Sequence, residues 1–260
     1  MAGDGHDRQL SDSAGQPWKG RHFDAHATAD PADDGTAPPA LIDALDRFRA
    51  GAGSQAQVLD ALRDARLLVP LVAHAGDEGL TDAGLRVDKT QELSLVTVGG
   101  PDGRTVLPVF SSVAALGAWN PKARPIPVDA RRAALAAAAE GTELIVLDPA
   151  SATEFVLRRP MVWALAQGLP WVPAIDDPAV LDAFELSIAP EDAVAGIRLV
   201  AGDPEARLRA PEVVVVLALV PGLDQTALQA LTARLGRRWA ADAVIAERVD
   251  SLTVKLTAVG

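Results

Sequence analysis

Near its end the chain alternates Leu252, Val254, Leu256 and Ala258 with Ser251, Thr253, Lys255 and Thr257. That period of two predicts a strand with one face in water. The opposite periodicity opens the fold: Leu41, Ile42, Leu45 and Phe48 fall on one helical face, and the glycines of GAG at 51–53 stop that helix. Ser54 and Gln57 have the spacing of a capping box, which predicts a second helix carrying Val58, Leu62 and Ala65 inward. An extended apolar run, LLVPLVA at 67–73, follows; Pro70 has no N–H to donate, so this strand is expected at an edge or with a bulge.

Two apolar runs, 92–98 and 104–110, flank GGPDG and predict an antiparallel hairpin. The second run, ending at Phe110, passes into a helix that Ser111 and Ser112 are placed to cap and that carries Leu116 and Trp119. Three prolines in NPKARPIPV force an extended path past Arg124. Asp129 then caps an Ala-rich helix, Gly141 ends it, and TELIVLD at 142–148 is apolar on both faces, as an interior strand would be. Asp148 stands at the C-terminal end of that strand. A short strand at 153–157 and a helix opened by Pro160 and closed by Gly168 complete an expected domain over 41–170.

LPWVPAIDDPAV, with three prolines and two adjacent carboxylates, marks an expected linker at 171–184. Beyond it, strands at 195–201 and 212–219, a helix capped by Asp224 with Leu228, Leu231 and Leu235 inward, and the closing strand predict a second domain over 185–260. The fold class is therefore α+β, in two mixed domains with antiparallel or mixed sheets. Residues 1–40 have few large apolar groups, Leu10, Trp18 and Phe23 among them, and are expected to form a disordered acidic tail.

Composition removes several classes of function. The net charge is -11, from 24 basic and 35 acidic residues, which opposes a nucleic-acid partner. No cysteine is present, so thiolate nucleophiles, disulfides and thiolate-bound metals are closed. No run approaches the roughly 20 apolar residues of a membrane span, and a cytoplasmic location is expected.

His74 is the only histidine outside the tail. With Asp77 or Glu78 to orient it and Ser111 or Ser112 as nucleophile, it offers a hydrolase-like set, although no Gly-x-Ser-x-Gly elbow surrounds either serine. Among the carboxylates, which include Asp102 and Asp250, Asp148 is singled out because open α/β sheets bind ligands at the C-terminal ends of their strands. Trp119 could anchor a partner, with Arg124 beside it for an anion. The expected binding face is thus Phe110, Ser111, Ser112, Trp119, Arg124 and Asp148. It would serve a protein or small-molecule partner, without a cofactor or metal, and a homo-oligomer is one arrangement left open.

VLPVFSSVAALGAW, then ARPIPV, an Ala-rich helix and LIVLDPAS resembles in its order of elements the N-terminal domain of the SseB family, named for enhanced serine sensitivity. Phe110, Ser111, Ser112, Trp119, Asp148 and Pro149 stand where the family carries a Phe-Thr/Ser-Ser turn, a Trp-bearing helix and a strand ending in Asn-Pro or Asp-Pro. VDSLTVKL is similar to the family's C-terminal domain. The resemblance implies a bacterial cytoplasmic protein of undefined biochemical activity, with no catalytic residues to carry over.

Overall fold

The computed structural model describes residues 33–73, 78–80, 86–88, 93–139 and 141–258. His74 and most of the expected tail lie outside them. Helix α1 (Pro39–Arg49) buries Leu41, Ala44 and Leu45, and α2 (Gln55–Arg63) buries Val58, Leu59 and Leu62. The capping box forms as its spacing implies: Ser54 Oγ accepts from the Gln57 N–H at 3.3 Å, and Gln57 Oε1 accepts from the Ser54 N–H at 2.9 Å.

Strand β1 (Arg66–Ala73) is followed by the pair β2 (Glu78–Leu80) and β3 (Arg86–Asp88), then by β4 (Leu93–Leu95) and β5 (Val98–Gly99). Next come β6 (Thr105–Val109), α3 (Val113–Trp119), β7 (Arg124–Asp129), α4 (Ala130–Ala139), β8 (Ile145–Leu147), β9 (Phe155–Leu157) and α5 (Arg159–Gln167). One sheet has the order β4-β1-β7 and another β5-β6-β8-β9. Strand β1 is central, yet Pro70 is tolerated because of what lies on one side of it. Leu68 exchanges both backbone bonds with Phe110, and pairing with β4 begins only at Leu71. Amide positions 68 and 70 point the same way, so the proline ring occupies the gap between two successive partners and costs no ladder bond.

The expected hairpin is shorter than its sequence suggests. Only Val98 and Gly99 pair with Val106 and Thr105, because the run divides and Leu93–Leu95 joins β1 instead. Strand β8 lies parallel to β6 and antiparallel to β9, fully buried, as its two apolar faces require. The alanines of α4 at 130, 133, 134 and 137 are buried, and their small side chains let that helix close over the first core. Phe48 meets Phe155 edge to face at 5.4 Å inside it.

The segment expected as a linker is folded. It contains a short 3-10 turn (Ala174–Asp176) and much of α6 (Pro178–Ile188), whose N-terminus Asp177 caps by accepting from the Ala179 N–H at 2.9 Å. Val180, Ala183 and Phe184 enter a second core. That core is completed by β10 (Val194–Ala201), β11 (Val213–Leu219), α7 (Gln225–Ala241), α8 (Ala243–Arg248) and β12 (Leu252–Ala258). Strand β11 is central, antiparallel to β10 and parallel to β12. Helix α7 presents Leu231, Leu235 and Trp239, and the indole N–H of Trp239 donates to Ser187 Oγ at 2.7 Å. Residues 35–260 form one compact unit holding both cores.

Candidate functional site

Three groupings of polar or exposed side chains stand out, and only the first was legible in the sequence. At the C-terminal edge of the parallel pair β6 and β8, Asp148 Oδ1 accepts from the Ser111 N–H at 2.8 Å. Its Oδ2 accepts from the Ser111 hydroxyl at 2.6 Å and from the Thr153 hydroxyl at 2.8 Å. Asp148 adopts φ +46°, a left-handed conformation that Asp and Asn tolerate better than most residues. Ser111 and Asp148 are 2% and 1% exposed, and Phe110 is fully buried. A carboxylate with three donors and no access to water ties two strand ends together.

The expected binding face is therefore divided. Phe110, Ser111 and Asp148 point inward and cannot touch a partner in this structure. Trp119 is half-buried, its ring 5.2 Å from that of Phe110, so most of it covers the core. Ser112 caps α3 by accepting from the Ala115 N–H at 3.0 Å, and Arg124 alone of the six is exposed. The Ser111 hydroxyl spends its proton on a carboxylate in the interior, whereas a nucleophile must reach its substrate. Among the described residues no group of three or more His, Asp or Glu is placed to hold a metal ion, and no helix is long and apolar enough to cross a membrane.

The second grouping joins the two cores. Arg158, at the N-terminus of α5, donates to Asp203 at 2.7 Å, to Asp250 at 3.1 Å, to Ser251 Oγ at 3.1 Å and to the Ala210 carbonyl at 2.7 Å. Arg104, from the turn between β5 and β6, forks onto both oxygens of Asp250 at 2.9 and 2.8 Å and also reaches Asp102 at 2.7 Å. Glu212 Oε2 accepts from the Asp250 N–H at 2.6 Å. Burial pushes the Glu212 carboxyl up to about 7; the hydrogen bond from the Asp250 N–H acts against this, and the Asp250 charge adds a smaller upward push. Burial also acts most strongly on Asp250, upward, but its bonds to Arg104 and Arg158 outweigh that and leave the carboxyl below its ordinary value. Asp102 and Asp250 were visible as carboxylates; nothing in their spacing marked them as partners of these arginines.

The third grouping is a groove of about 740 Å³. Arg159, Trp163 and Gln167 recur every fourth residue, so they share the face of α5 opposite its buried Met161, Val162 and Leu165. Leu169, Trp171 and Val172 form a second wall, and Glu247 with Arg248 of α8 a third. Trp163 is 52% exposed, Leu169 50% and Val172 48%. The chain path here is fixed: Gly168 takes φ +71° to end α5, Arg131 holds the Ala166 carbonyl at 2.8 Å, and Arg63 holds that of Leu169. Both arginines of the groove are engaged. Arg159 donates to the carbonyls of Ala246 and Val249 at 2.7 and 2.8 Å, and Arg248 to Asp177 at 2.9 Å. A strip of the sequence set aside as linker thus supplies one wall. The only sequence signal was two tryptophans flanking a Gly-Leu-Pro stop, at 163 and 171.

Residues 41–164 match the family model described as SseB protein N-terminal domain. Comparison with curated proteins and with solved structures returns no match.

Proposed function

This chain belongs to the SseB family, and from that premise we propose that it is a binding module, not an enzyme, which recognises a basic, apolar segment of a partner protein in the groove lined by Trp163 and Trp171. The observation that carries the reading is the exposure of Trp163 among Leu169 and Val172. Clustered, half-exposed aromatic and aliphatic side chains on a rigid frame are what interface hot spots consist of. Charge argues for the sign of the partner. The chain has a net charge of -11, which attracts a basic partner at long range; within the groove Arg248 pairs with Asp177, and Glu247 is exposed and makes no ion pair among the described residues. A lysine or arginine could also lie against an indole face there. The family resemblance further implies a bacterial cytoplasmic setting.

Fluorescent peptides that alternate Lys or Arg with Leu or Phe, set against acidic peptides of the same apolar content, test this by anisotropy. The basic series should bind and the acidic series should not, and Trp163→Ala with Trp171→Ala should weaken binding by roughly tenfold or more. Equal binding of both series, or affinity untouched by the two substitutions, rules the groove out. The competing reading is a hydrolase or transferase using His74 with Ser111, Ser112 or Asp148. It gains support if purified protein turns over an activated ester and His74→Ala does not.

A further inference from the structure

Glu212 is the one carboxyl of the junction that no arginine grips. Around it stand Asp250 and Ser251 from the entry to β12, Arg158 and Arg159 from the start of α5, and, one partner removed, Arg104 with Asp102 from the β5–β6 turn and Asp203 from the loop after β10. Two guanidiniums, Arg104 and Arg158, therefore serve three aspartates before Glu212 is counted. A fourth negative charge would meet only Arg158, already shared, and Arg159, whose hydrogen bonds go to backbone carbonyls, and it would lie beside Asp250, the residue that both Arg104 and Arg158 share.

We propose that Glu212 is a proton-controlled latch between the two halves of the chain: protonated, it holds the Asp250 backbone in place without opposing the Asp250 carboxylate, and deprotonated, it repels that carboxylate and loosens its hold on Arg104 and Arg158. The geometry makes the linkage direct. The Asp250 N–H donates to Glu212, while the Asp250 side chain, 1% exposed, receives Arg104 and Arg158. The Glu212 N–H donates to Ser251 Oγ at 3.0 Å, and Ser251 Oγ donates in turn to Asp250 Oδ2 at 3.1 Å, so carboxyl, backbone and hydroxyl move as one unit. A carboxyl raised to about 7 changes charge within the range of ordinary cell pH. The latch is tighter on the acidic side of neutrality and looser on the basic side.

Urea unfolding of the full chain at a series of pH values, for the wild type and for Glu212→Gln, tests the latch. Gln keeps an oxygen to accept from Asp250 and removes the titration. In the wild type the unfolding equilibrium constant should rise roughly tenfold between about pH 6 and about pH 8, and in Glu212→Gln this limb should be absent. Parallel profiles for the two proteins overturn the proposal. If Glu212→Gln does not fold, carbon NMR of wild-type protein labelled at the glutamate carboxyls still decides: one carboxyl with its midpoint close to 7 supports the latch, and titration of all glutamates together near 4.5 overturns it.

Discussion

Asp148 accepts from both the backbone N–H and the hydroxyl of Ser111, a residue 37 positions earlier, and so locks the C-terminal ends of two parallel strands together in the interior. The family resemblance has Asn or Asp at this place, and both residue types can hold the left-handed backbone and accept from the Ser111 N–H. Asp148→Asn should therefore cost about 1 kcal/mol. Asp148→Ala, which strands the Ser111 amide and hydroxyl and leaves the Thr153 hydroxyl only Ser151 as a partner, should cost about 2–4 kcal/mol in chemical denaturation. Equal costs for the two variants would show that the hydrogen bonds are not what the site contributes.

The two arginines of the junction should differ in weight. Arg158 is 8% exposed at its side chain and serves Asp203 and Asp250, whereas Arg104 is 37% exposed. Removing one partner of a buried pair leaves an uncompensated charge, so Arg158→Ala should cost about 3–5 kcal/mol. Arg104→Ala should cost about 1–2 kcal/mol, because water screens part of that loss. Urea midpoints of the two variants check the order.

Stability should pass through a maximum on the acidic side of neutrality, and two groups set its limbs with opposite signs. The Asp250 carboxyl is held below its ordinary value of 3.8, so its contribution is present above that value and lost as pH falls through the lowered folded value. The Glu212 carboxyl is raised from 4.5 to about 7, so its contribution is complete below 4.5 and lost as pH rises toward 7. Asp250→Asn should flatten the acid limb and, because it removes the carboxylate that Glu212 faces, also shrink the other. Unfolding free energies measured across both limbs decide.

Gly202 should not accept a side chain. A Cβ at that position would stand 2.1 Å from the Pro211 carbonyl oxygen, a backbone atom that cannot swing away, and the Gly202 N–H donates to the Glu212 carbonyl at 2.9 Å. Gly202→Ala should cost about 1–3 kcal/mol, and it should raise amide exchange around 203–213 where the strain is relieved. Unchanged stability would mean that the loop after β10 has freedom to retreat from β11.

Trp163 and Trp239 offer a contrast in what a tryptophan is for. Trp163 is 52% exposed, and Trp163→Ala should alter stability by no more than about 0.5 kcal/mol. Trp239 is 3% exposed, 5.3 Å from the Phe184 ring and bonded to Ser187. Trp239→Ala should cost about 3–5 kcal/mol. Thermal and urea unfolding of both variants distinguish a side chain kept for a partner from one kept for the core.

The sequence by itself determined the α+β class, the capping box at Ser54 and Gln57, the cap at Asp224, the interior character of β8 and the Ser111–Ser112 entry to α3. Each of these depends on side chains within a turn or two of one another, where backbone geometry fixes the neighbours whatever the rest of the chain does. Tertiary structure alone decided that Leu93–Leu95 pairs with β1, that the Pro-rich segment after Leu169 is a groove wall and a helix start, and that Asp148 is a tie within the core. It also decided that Asp250 meets Arg158 and Arg104 across 92 and 146 positions. Charge and hydropathy state that a side chain needs a partner; which partner it finds depends on how strands and loops distant in the chain are brought together, and no local pattern encodes that.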